Sequence, residues 1–399
     1  MKLFNTLTQS LEDFTPINDP VCIYVCGVTP YDTTHLGHAF TYLSFDTLIR
    51  YLEYSGYAVK YVQNVTDIDD DVLRKARELG MEWDELGRRE TARFLADMDA
   101  LGVRRPDVYA RATDEIPRII EIARALVERG YAYVSEGCVF YSVKQDAEFG
   151  TMAQAIGLDD YQSMLTIANE RGNFPDDPRK KDPLDFVLWQ AQAPGEPAWD
   201  SPWGPGRPGW HIECSSMSMH YLAPQIDIHG GGADLAFPHH TCEIAQSEHY
   251  SGMAPFSRFW MHTGMVYQDG EKMSKSLGNL TLVSDLLKDY NADTIRMLLQ
   301  SHHYRFPWEC FPEDLRIAAE TVNNLQRVRQ LVGDHADGEN VMLRNRFKAA
   351  MDTDLNTPEA ILLLRHASKQ ALQDQDLNLG AEILRLTAVL GFSEASSRS

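Results

Sequence analysis

Residues 22–65 read CIYVCGVTPYDTTHLGHAFTYLSFDTLIRYLEYSGYAVKYVQNV, and this stretch decides the fold. Its first five residues, 22–26, are β-branched, aromatic or thiol-bearing, which is typical of a buried strand. Leucines recurring on one side predict a helix over about 38–55, and 57–65 has the composition of a second strand. Strand, helix and strand in one short span predict a right-handed βαβ unit and therefore a parallel sheet.

The rest of the chain continues this pattern and interrupts it once. Residues 71–130 carry Leu, Ala, Arg and Glu at helical spacing, and strand-like runs return at 225–229 and near 259–262. Residues 131–205 differ in character: they begin with short predicted strands around 132–143 and continue as a Pro-, Gly- and Asp-rich run. We predict a sheet domain in two halves, an inserted subdomain and a helical bundle, with boundaries at 1–130, 131–205, 206–310 and 311–399.

Composition excludes several functional classes. The 399 residues include 37 Lys and Arg against 58 Asp and Glu, a net charge of −21 at pH 7. Such a field repels polyanions, so any nucleic acid would need a local basic patch. Six scattered cysteines are too few for a disulfide scaffold and indicate reduced thiols or metal ligands. We see no signal-peptide pattern and no run of 18 apolar residues, and we expect a cytoplasmic protein.

A histidine pair follows the first predicted strand. His35 and His38 stand three apart at a predicted helix start, where backbone amides favour anions, and Gly37 allows the backbone close to a nucleotide. Such a pair could stabilise an α-phosphate that gains a fifth oxygen during adenylation. Two surface histidines at a helix cap are the alternative.

A lysine-serine motif lies late in the chain. Lys272, Met273, Ser274, Lys275 and Ser276 could hold the β- and γ-phosphates of ATP while pyrophosphate leaves. Alone, this motif would be a solvated loop. Together with the histidine motif, it resembles the arrangement in class I aminoacyl-tRNA synthetases. The smaller nucleotidyltransferases share the histidine motif but usually lack the lysine motif.

Four residues could hold a metal ion. Cys26 ends the first strand, Cys214 lies in a GWHIECS stretch, and His239 and Glu243 stand four apart, on one helical face. Two thiolates, one imidazole and one carboxylate form a plausible tetrahedral zinc set. There is no CxxC pair, so buried thiols and a helix-face ion pair fit the spacing about as well.

The whole chain resembles the cysteinyl-tRNA synthetases. The matching stretches are Asn5–Thr8, Thr66–Asp70, Arg207–Cys214, His229–Gly232, Phe237–His240, Glu271–Ser276 and Asn356–Ala360. The resemblance implies a class I synthetase fold: a Rossmann-like parallel sheet in an α/β catalytic domain, split by an inserted subdomain and followed by an α-helical bundle. It also implies ATP-dependent activation of L-cysteine to cysteinyl-adenylate and transfer to tRNA(Cys).

The resemblance further implies roles for particular residues. Cys26, Cys214, His239 and Glu243 match the zinc ligands of the family, with one zinc ion per chain. Zinc offers a basis for choosing cysteine, because a thiolate is a far better zinc ligand than a serine hydroxyl. Trp210 would form a wall of the pocket, or else pack in the core, and His229 would lie beside the substrate thiol.

Three smaller expectations complete the predicted site. His240 is expected to contact a zinc ligand rather than the metal. The remaining thiols, Cys22, Cys138, Cys242 and Cys310, are expected to be structural. Mg²⁺ is expected to accompany ATP.

The acceptor of the cysteinyl group stays open at this point. The resemblance ends near residue 391, without the small anticodon-reading domain of full-length synthetases, so a truncated form is expected. The mycothiol-pathway cysteine ligase shares this outline and transfers cysteine to the amine of a glucosaminyl-inositol. Residues 30–38 and 181–185 are at least as close to that ligase. The zinc set and His229–Gly232 favour tRNA, and an inactive sensor paralogue is a further alternative. A monomer is expected.

Overall fold

A computed structural model describes residues 1–31, 34–268, 270–273, 280–334 and 338–392. In chain order the strands are β1 (Lys2–Asn5), β2 (Ser10–Asp13), β3 (Val21–Val28), β4 (Val59–Val65), β5 (Val108–Arg111), β6 (Ala132–Ser135), β7 (Cys138–Tyr141), β8 (Phe186–Ala191), β9 (Gly206–Pro208), β10 (Ile226–Gly232), β11 (Ser257–Thr263), β12 (Val266–Gln268), β13 (Glu271–Lys272) and β14 (Trp308–Glu309).

The α-helices are α1 (Leu36–Tyr54), α2 (Asp70–Leu79), α3 (Trp83–Ala100), α4 (Ile116–Glu128), α5 (Thr151–Ala155), α6 (Tyr161–Glu170), α7 (Trp210–Tyr221), α8 (Thr241–Ser251), α9 (Val283–Asp289), α10 (Ala292–Gln300), α11 (Pro312–Val332), α12 (Val341–Met351), α13 (Thr357–Asp374) and α14 (Leu377–Val389). None of the helices in the described residues is long and apolar enough to cross a membrane.

The central sheet has the strand order β11–β10–β3–β4–β5, and every neighbouring pair is parallel. The predicted βαβ unit is present as β3, α1 and β4. β3 is buried almost throughout, which explains its continuous apolar sequence. Because the strands are parallel, the loops that follow them meet at one edge of the sheet, where ligands of such folds bind.

One predicted element is wrong. Helical spacing was expected throughout 71–130, but β5 interrupts it at Val108–Arg111 and forms the edge of the central sheet. The strand is only four residues long, so its apolar positions do not stand out from the helical pattern on either side. Pairing with β4 creates it, with Val62 opposite Val108 and Val65 opposite Arg111.

A second, antiparallel sheet joins β6, β7, β8 and β9 in that order. It lies between the two halves of the central sheet in the sequence. Its hydrophobic core includes residues of α4, α5 and α6 and is shared with α7 and α8 of the second half. Its last strand reaches Pro208, two residues before α7 begins. The return to the central sheet therefore passes directly through the segment that carries Trp210 and Cys214.

The helices α11 to α14 pack on one another and, through α1 and α10, on the central sheet. A small sheet of β13, β12 and β14 packs against α1 through β12. In that sheet the amide of Met273 donates to the carbonyl of Val266 over 3.2 Å. Backbone pairing thus fixes the first two residues of the lysine motif, Lys272 and Met273.

Candidate active site

A cleft of about 1540 Å³ opens at the carboxyl ends of the central strands. The chain that follows β3, β4, β10 and β11 lines it, together with residues 170–180 of the inserted subdomain. Cys26, His35, His38 and Trp210 all contribute to its surface. Residues predicted for metal, phosphate and substrate binding therefore share one cleft.

The histidine motif forms the first turn of α1. His35 is the N-cap, and its Nδ1 accepts a hydrogen bond from the amide of Gly37 over 3.1 Å. The rings of His35 and His38 stack with centroids 3.8 Å apart. A side chain at Gly37 would meet the His35 ring at 2.9 Å and would displace that ring from its stacked position. Both imidazoles therefore lie at a positive helix end that borders the cleft.

The lysine motif is described only at its beginning. The backbone of Lys272 belongs to β13, and Met273 is buried against the core. The side chain of Lys272 and the predicted phosphate-binding residues Ser274, Lys275 and Ser276 lie outside the described part of the chain.

The four predicted metal ligands converge. One donor atom from each of Cys26, Cys214, His239 and Glu243 lies within 4.8 Å of the others, and all four side chains are buried. Cys26 Sγ is 3.9 Å from Cys214 Sγ and 3.7 Å from Glu243 Oε1, and His239 Nε2 is 3.1 Å from Glu243 Oε1. These separations resemble the edges of a tetrahedron around a zinc ion with bonds of about 2.0–2.3 Å.

Local structure explains how distant residues meet. Cys26 ends the buried run of β3, and Cys214 lies in the second turn of α7. His239 and Glu243 lie on consecutive turns where a short π-helical segment leads into α8. Phe237 leaves helical geometry there, with φ −137° and ψ 135°, two residues before the buried His239.

Two further histidines join the cluster. His229 Nε2 is 3.6 Å from Cys26 Sγ, and His240 Nε2 is 3.4 Å from it, so both are close enough to form a second set with Cys26 and Glu243. His240 contacts the predicted ligand Cys26 but also belongs to this second possible donor set, so its place beside a ligand rather than on the metal stays a prediction. His229 stacks on Trp260 with centroids 4.5 Å apart.

Contacts behind the cluster were missed from the sequence. His240 Nδ1 is 2.7 Å from His262 Nε2, and His262 Nδ1 is 2.8 Å from Thr6 Oγ1. His211 Nδ1 is 2.9 Å from His239 Nδ1. The sequence pointed to these two histidines only by their position: His211 follows the predicted pocket residue Trp210, and His262 lies near the end of a predicted strand of the parallel sheet.

The electrostatics of the cluster suit a divalent cation. Burial raises the pKa of the Cys26 thiol and of the Glu243 carboxyl well above their usual ranges. Burial also lowers the pKa of His239 well below its usual range and that of His229 to about 3. Oε2 of Glu243 is buried and has no hydrogen-bond partner among the described residues. A cation would stabilise both anions, so these residues fit zinc.

Trp210 forms part of the cleft wall and packs on the cluster. Its ring stacks on His239 with centroids 4.3 Å apart. The described cysteines outside the cluster, Cys22, Cys138, Cys242 and Cys310, are buried and reduced. Cys138 accepts a hydrogen bond from Arg179 over 2.9 Å, inside the inserted subdomain.

Comparison with known proteins decides the family. The profile of the tRNA synthetases class I (C) catalytic domain matches residues 14–320. The chain belongs to this family. The cysteine–tRNA ligase of Thermodesulfovibrio yellowstonii is 45% identical over 384 residues, which cover 91% of this chain and 77% of the relative. That of Serratia proteamaculans is 44% identical over 402 residues, 98% of this chain and 85% of the relative.

Solved structures show the same fold at low sequence identity. Mycobacterium tuberculosis methionyl-tRNA synthetase bound by methionyl-adenylate has a TM-score of 0.69 and 16% identity, covering 93% of this class I (C) synthetase and 91% of that chain. Agrobacterium radiobacter leucyl-tRNA synthetase, in a ternary complex, has a TM-score of 0.71 and 12% identity, covering 95% and 84%. The predicted family, α/β fold class and ligase class are confirmed.

Proposed function

We propose that this class I (C) synthetase activates L-cysteine with ATP at a zinc centre and transfers the cysteinyl group to tRNA(Cys). The observation that carries the proposal is one cleft lined by both Cys26 of the buried donor cluster and the stacked pair His35 and His38. The donor cluster can then bind the thiol of one cysteine molecule while the start of α1 binds the phosphate that reacts with its carboxylate.

The donor cluster serves the amino-acid end of the reaction. Cys26, Cys214, His239 and Glu243 hold the ion, and Trp210 and His229 border the side chain of the substrate. Zinc, when bound there, supplies a Lewis acid that a thiolate binds far better than a hydroxyl does. The buried surroundings keep water from competing for that position.

The histidine and lysine motifs serve the phosphate end. An oxygen of the cysteine carboxylate attacks the α-phosphorus of ATP, and the bond to pyrophosphate breaks. His35 and His38, with Gly37 between them, stabilise the charge that grows on the α-phosphate. Lys272 and Lys275, with Met273, Ser274 and Ser276, hold the departing pyrophosphate, which Mg²⁺ accompanies. No side chain acts as a covalent nucleophile, so orientation supplies much of the rate.

The second step completes the transfer. A terminal ribose hydroxyl of tRNA attacks the carbonyl carbon of cysteinyl-adenylate, AMP leaves, and the hydroxyl proton is released. The relatives named as cysteine–tRNA ligases support this acceptor over an amino sugar.

One experiment separates the acceptors. Labelled cysteine and ATP are incubated with tRNA(Cys), with a glucosaminyl-inositol, and with neither, and serine replaces cysteine in a parallel series. We expect cysteinyl-tRNA, no sugar amide, and activation of serine slower by orders of magnitude. An amide on the sugar would reassign the protein to thiol biosynthesis. Absence of ATP–pyrophosphate exchange would indicate an inactive paralogue.

A further inference from the structure

A buried carboxylate in the loop between α12 and α13 holds the segment that leads from α10 into β14. Asp354 is only 3% exposed. Its Oδ1 accepts from the hydroxyl of Tyr304 over 2.7 Å, and its Oδ2 accepts from Nε of Arg305 over 2.9 Å. Oδ1 also accepts from the amide of Phe4 in β1 over 2.8 Å. This loop of the helical bundle is therefore bonded to two other parts of the chain.

The backbone of this loop is in an unfavourable conformation. Asp354 and Leu355 have φ values of 55° and 51°, in the left-handed region that bulky residues such as leucine rarely adopt. Such a conformation persists only where surrounding contacts impose it, and residues of this kind cluster at functional sites. Here the amide of Asp354 donates to the carbonyl of Lys2 over 3.0 Å, and Leu355 is buried. The contacts of Asp354 thus impose a conformation that the local sequence does not favour.

The segment bound by Asp354 runs beside the strand that supports the lysine motif. The amide of Gly264 donates to the carbonyl of Tyr304 over 2.7 Å, and a side chain at Gly264 would lie 2.3 Å from the backbone of Phe306. The two backbones are therefore in close contact just before β12. From there β14 pairs with β12, and β12 pairs with β13, in which Lys272 begins the motif. Backbone contacts thus connect Tyr304 to the start of the lysine motif.

We propose that Asp354 is a positioning residue for the lysine motif. By holding Tyr304 and Arg305, it keeps β14 in register with β12 and so fixes the position of β13. Among the described residues, Asp354 is not one of those that line the cleft, so its effect on the reaction passes through these strands. The inference rests on the proposed function, in which the motif holds the departing pyrophosphate, and it extends that function to a residue of the helical bundle.

Hydrogen–deuterium exchange of the full chain tests this link without any assay of activity. Asp354→Gly removes the carboxylate and relieves the left-handed backbone. We expect the amides of β12 and β13, and that of Met273, to exchange about tenfold faster in this variant, because the strands open more often without their support. The amides of β10 should be unaffected. Unchanged exchange over 264–273 would overturn the inference and leave the proposed function intact.

Glu382→Gln is the matched control. Glu382 on α14 is 1% exposed and accepts from Arg344 over 2.7 Å, so it is, like Asp354, a buried carboxylate of the bundle with an arginine partner. This variant should leave hydrogen–deuterium exchange over 264–273 unchanged. Faster exchange in the control as well would mean that any weakening of the bundle loosens these strands, and it would overturn the specific role of Asp354.

Pyrophosphate-exchange kinetics test the consequence for the reaction. We expect Asp354→Gly to lower kcat about tenfold, because displacing the lysine motif weakens its hold on the leaving phosphates. The KM for cysteine and the zinc content should stay the same, which is the signature of an interaction made at the phosphate end. Asp354→Asn tolerates the same backbone and keeps one acceptor oxygen, so it should recover part of the loss.

The outcomes separate this inference from the proposed function. A normal kcat in folded Asp354→Gly, or a parallel loss of kcat, zinc and cysteine affinity in both Asp354 variants, would reduce Asp354 to a structural support. Absence of pyrophosphate exchange in the unmodified protein would overturn the proposed function. Hydrogen–deuterium exchange would then still show whether Asp354 holds β13 in place.

Discussion

Two buried thiols on neighbouring helices differ in what surrounds them. Cys214 on α7 belongs to the donor cluster, whereas Cys242 on α8 packs in the core of the inserted subdomain, and they are 1% and 2% exposed. We predict that Cys214→Ser lowers zinc content well below one per chain and raises the KM for cysteine at least tenfold, because a hydroxyl is a poor zinc ligand. Metal analysis and pyrophosphate exchange measure both.

Cys242→Ser is the matched control, since it makes the same change at the same depth. It should keep its zinc and its affinity for cysteine. If both variants lose zinc together, the loss reflects unfolding and contradicts the prediction that the two thiols differ in their effect on the metal.

Asp69 gives the stability of the fold a pH dependence. It caps α2 by accepting from the amide of Asp71 over 2.8 Å, and burial raises its pKa to about 6. An unfolded aspartate titrates near pH 4. Between about pH 4 and 6 the folded state therefore binds more protons than the unfolded state, and stability falls as pH rises through that window.

We predict that Asp69→Asn stabilises the protein by about 2 kcal/mol at pH 7.5 and has little effect at pH 4. Asn caps a helix as well as Asp does, so only the charge is removed. Urea unfolding at a series of pH values measures the difference. An effect of the same size at every pH would contradict this account.

At the scale of single elements, the sequence was informative where one signal dominated. The continuous apolar run of β3 predicted a buried strand. The start of α1 was predicted near His38, but the helix begins at Leu36, because His35 caps it through the amide of Gly37. The β5 strand was missed because only its pairing with β4 defines it.

The same limit applies to the donor cluster. Residue type and the family resemblance pointed to Cys26, Cys214, His239 and Glu243. The pairing of His211 with His239 depends on the kink at Phe237 and on the packing of α7 against α8. Those are tertiary features, and no local pattern in the sequence encodes them.

The lysine motif remains a prediction drawn from the sequence. β13 fixes its base by pairing with β12, as Tyr267 opposite Lys272 shows. We predict that Lys275→Ala slows pyrophosphate exchange about a hundredfold, because it removes a positive charge that stabilises the leaving pyrophosphate. Cysteine binding should stay nearly unchanged. Lys288→Ala, at an exposed position of α9, is the control and should be neutral. Equal loss of exchange and cysteine binding in Lys275→Ala would point to misfolding.

At the scale of the whole molecule, one arginine joins three parts of the chain. Arg296 on α10 donates to Asp46 of α1 over 2.7 Å, to the carbonyl of Leu101 over 2.9 Å and to that of Leu390, after α14, over 2.7 Å. The side chains of Arg296 and Asp46 are 1% and 0% exposed. The contact therefore ties the central sheet to the helical bundle without access to water.

Removing this arginine should destabilise the molecule far more than removing a surface one. Arg296→Met leaves Asp46 buried with Arg50 as its remaining ion-pair partner, and we predict a loss of about 3 kcal/mol in the free energy of unfolding. Arg105→Met breaks the exposed pair with Asp99 and should leave the free energy of unfolding nearly unchanged. Urea unfolding followed by circular dichroism compares the two. Similar losses of free energy of unfolding in the two variants would mean that the buried Arg296 contact contributes no more to stability than a surface ion pair.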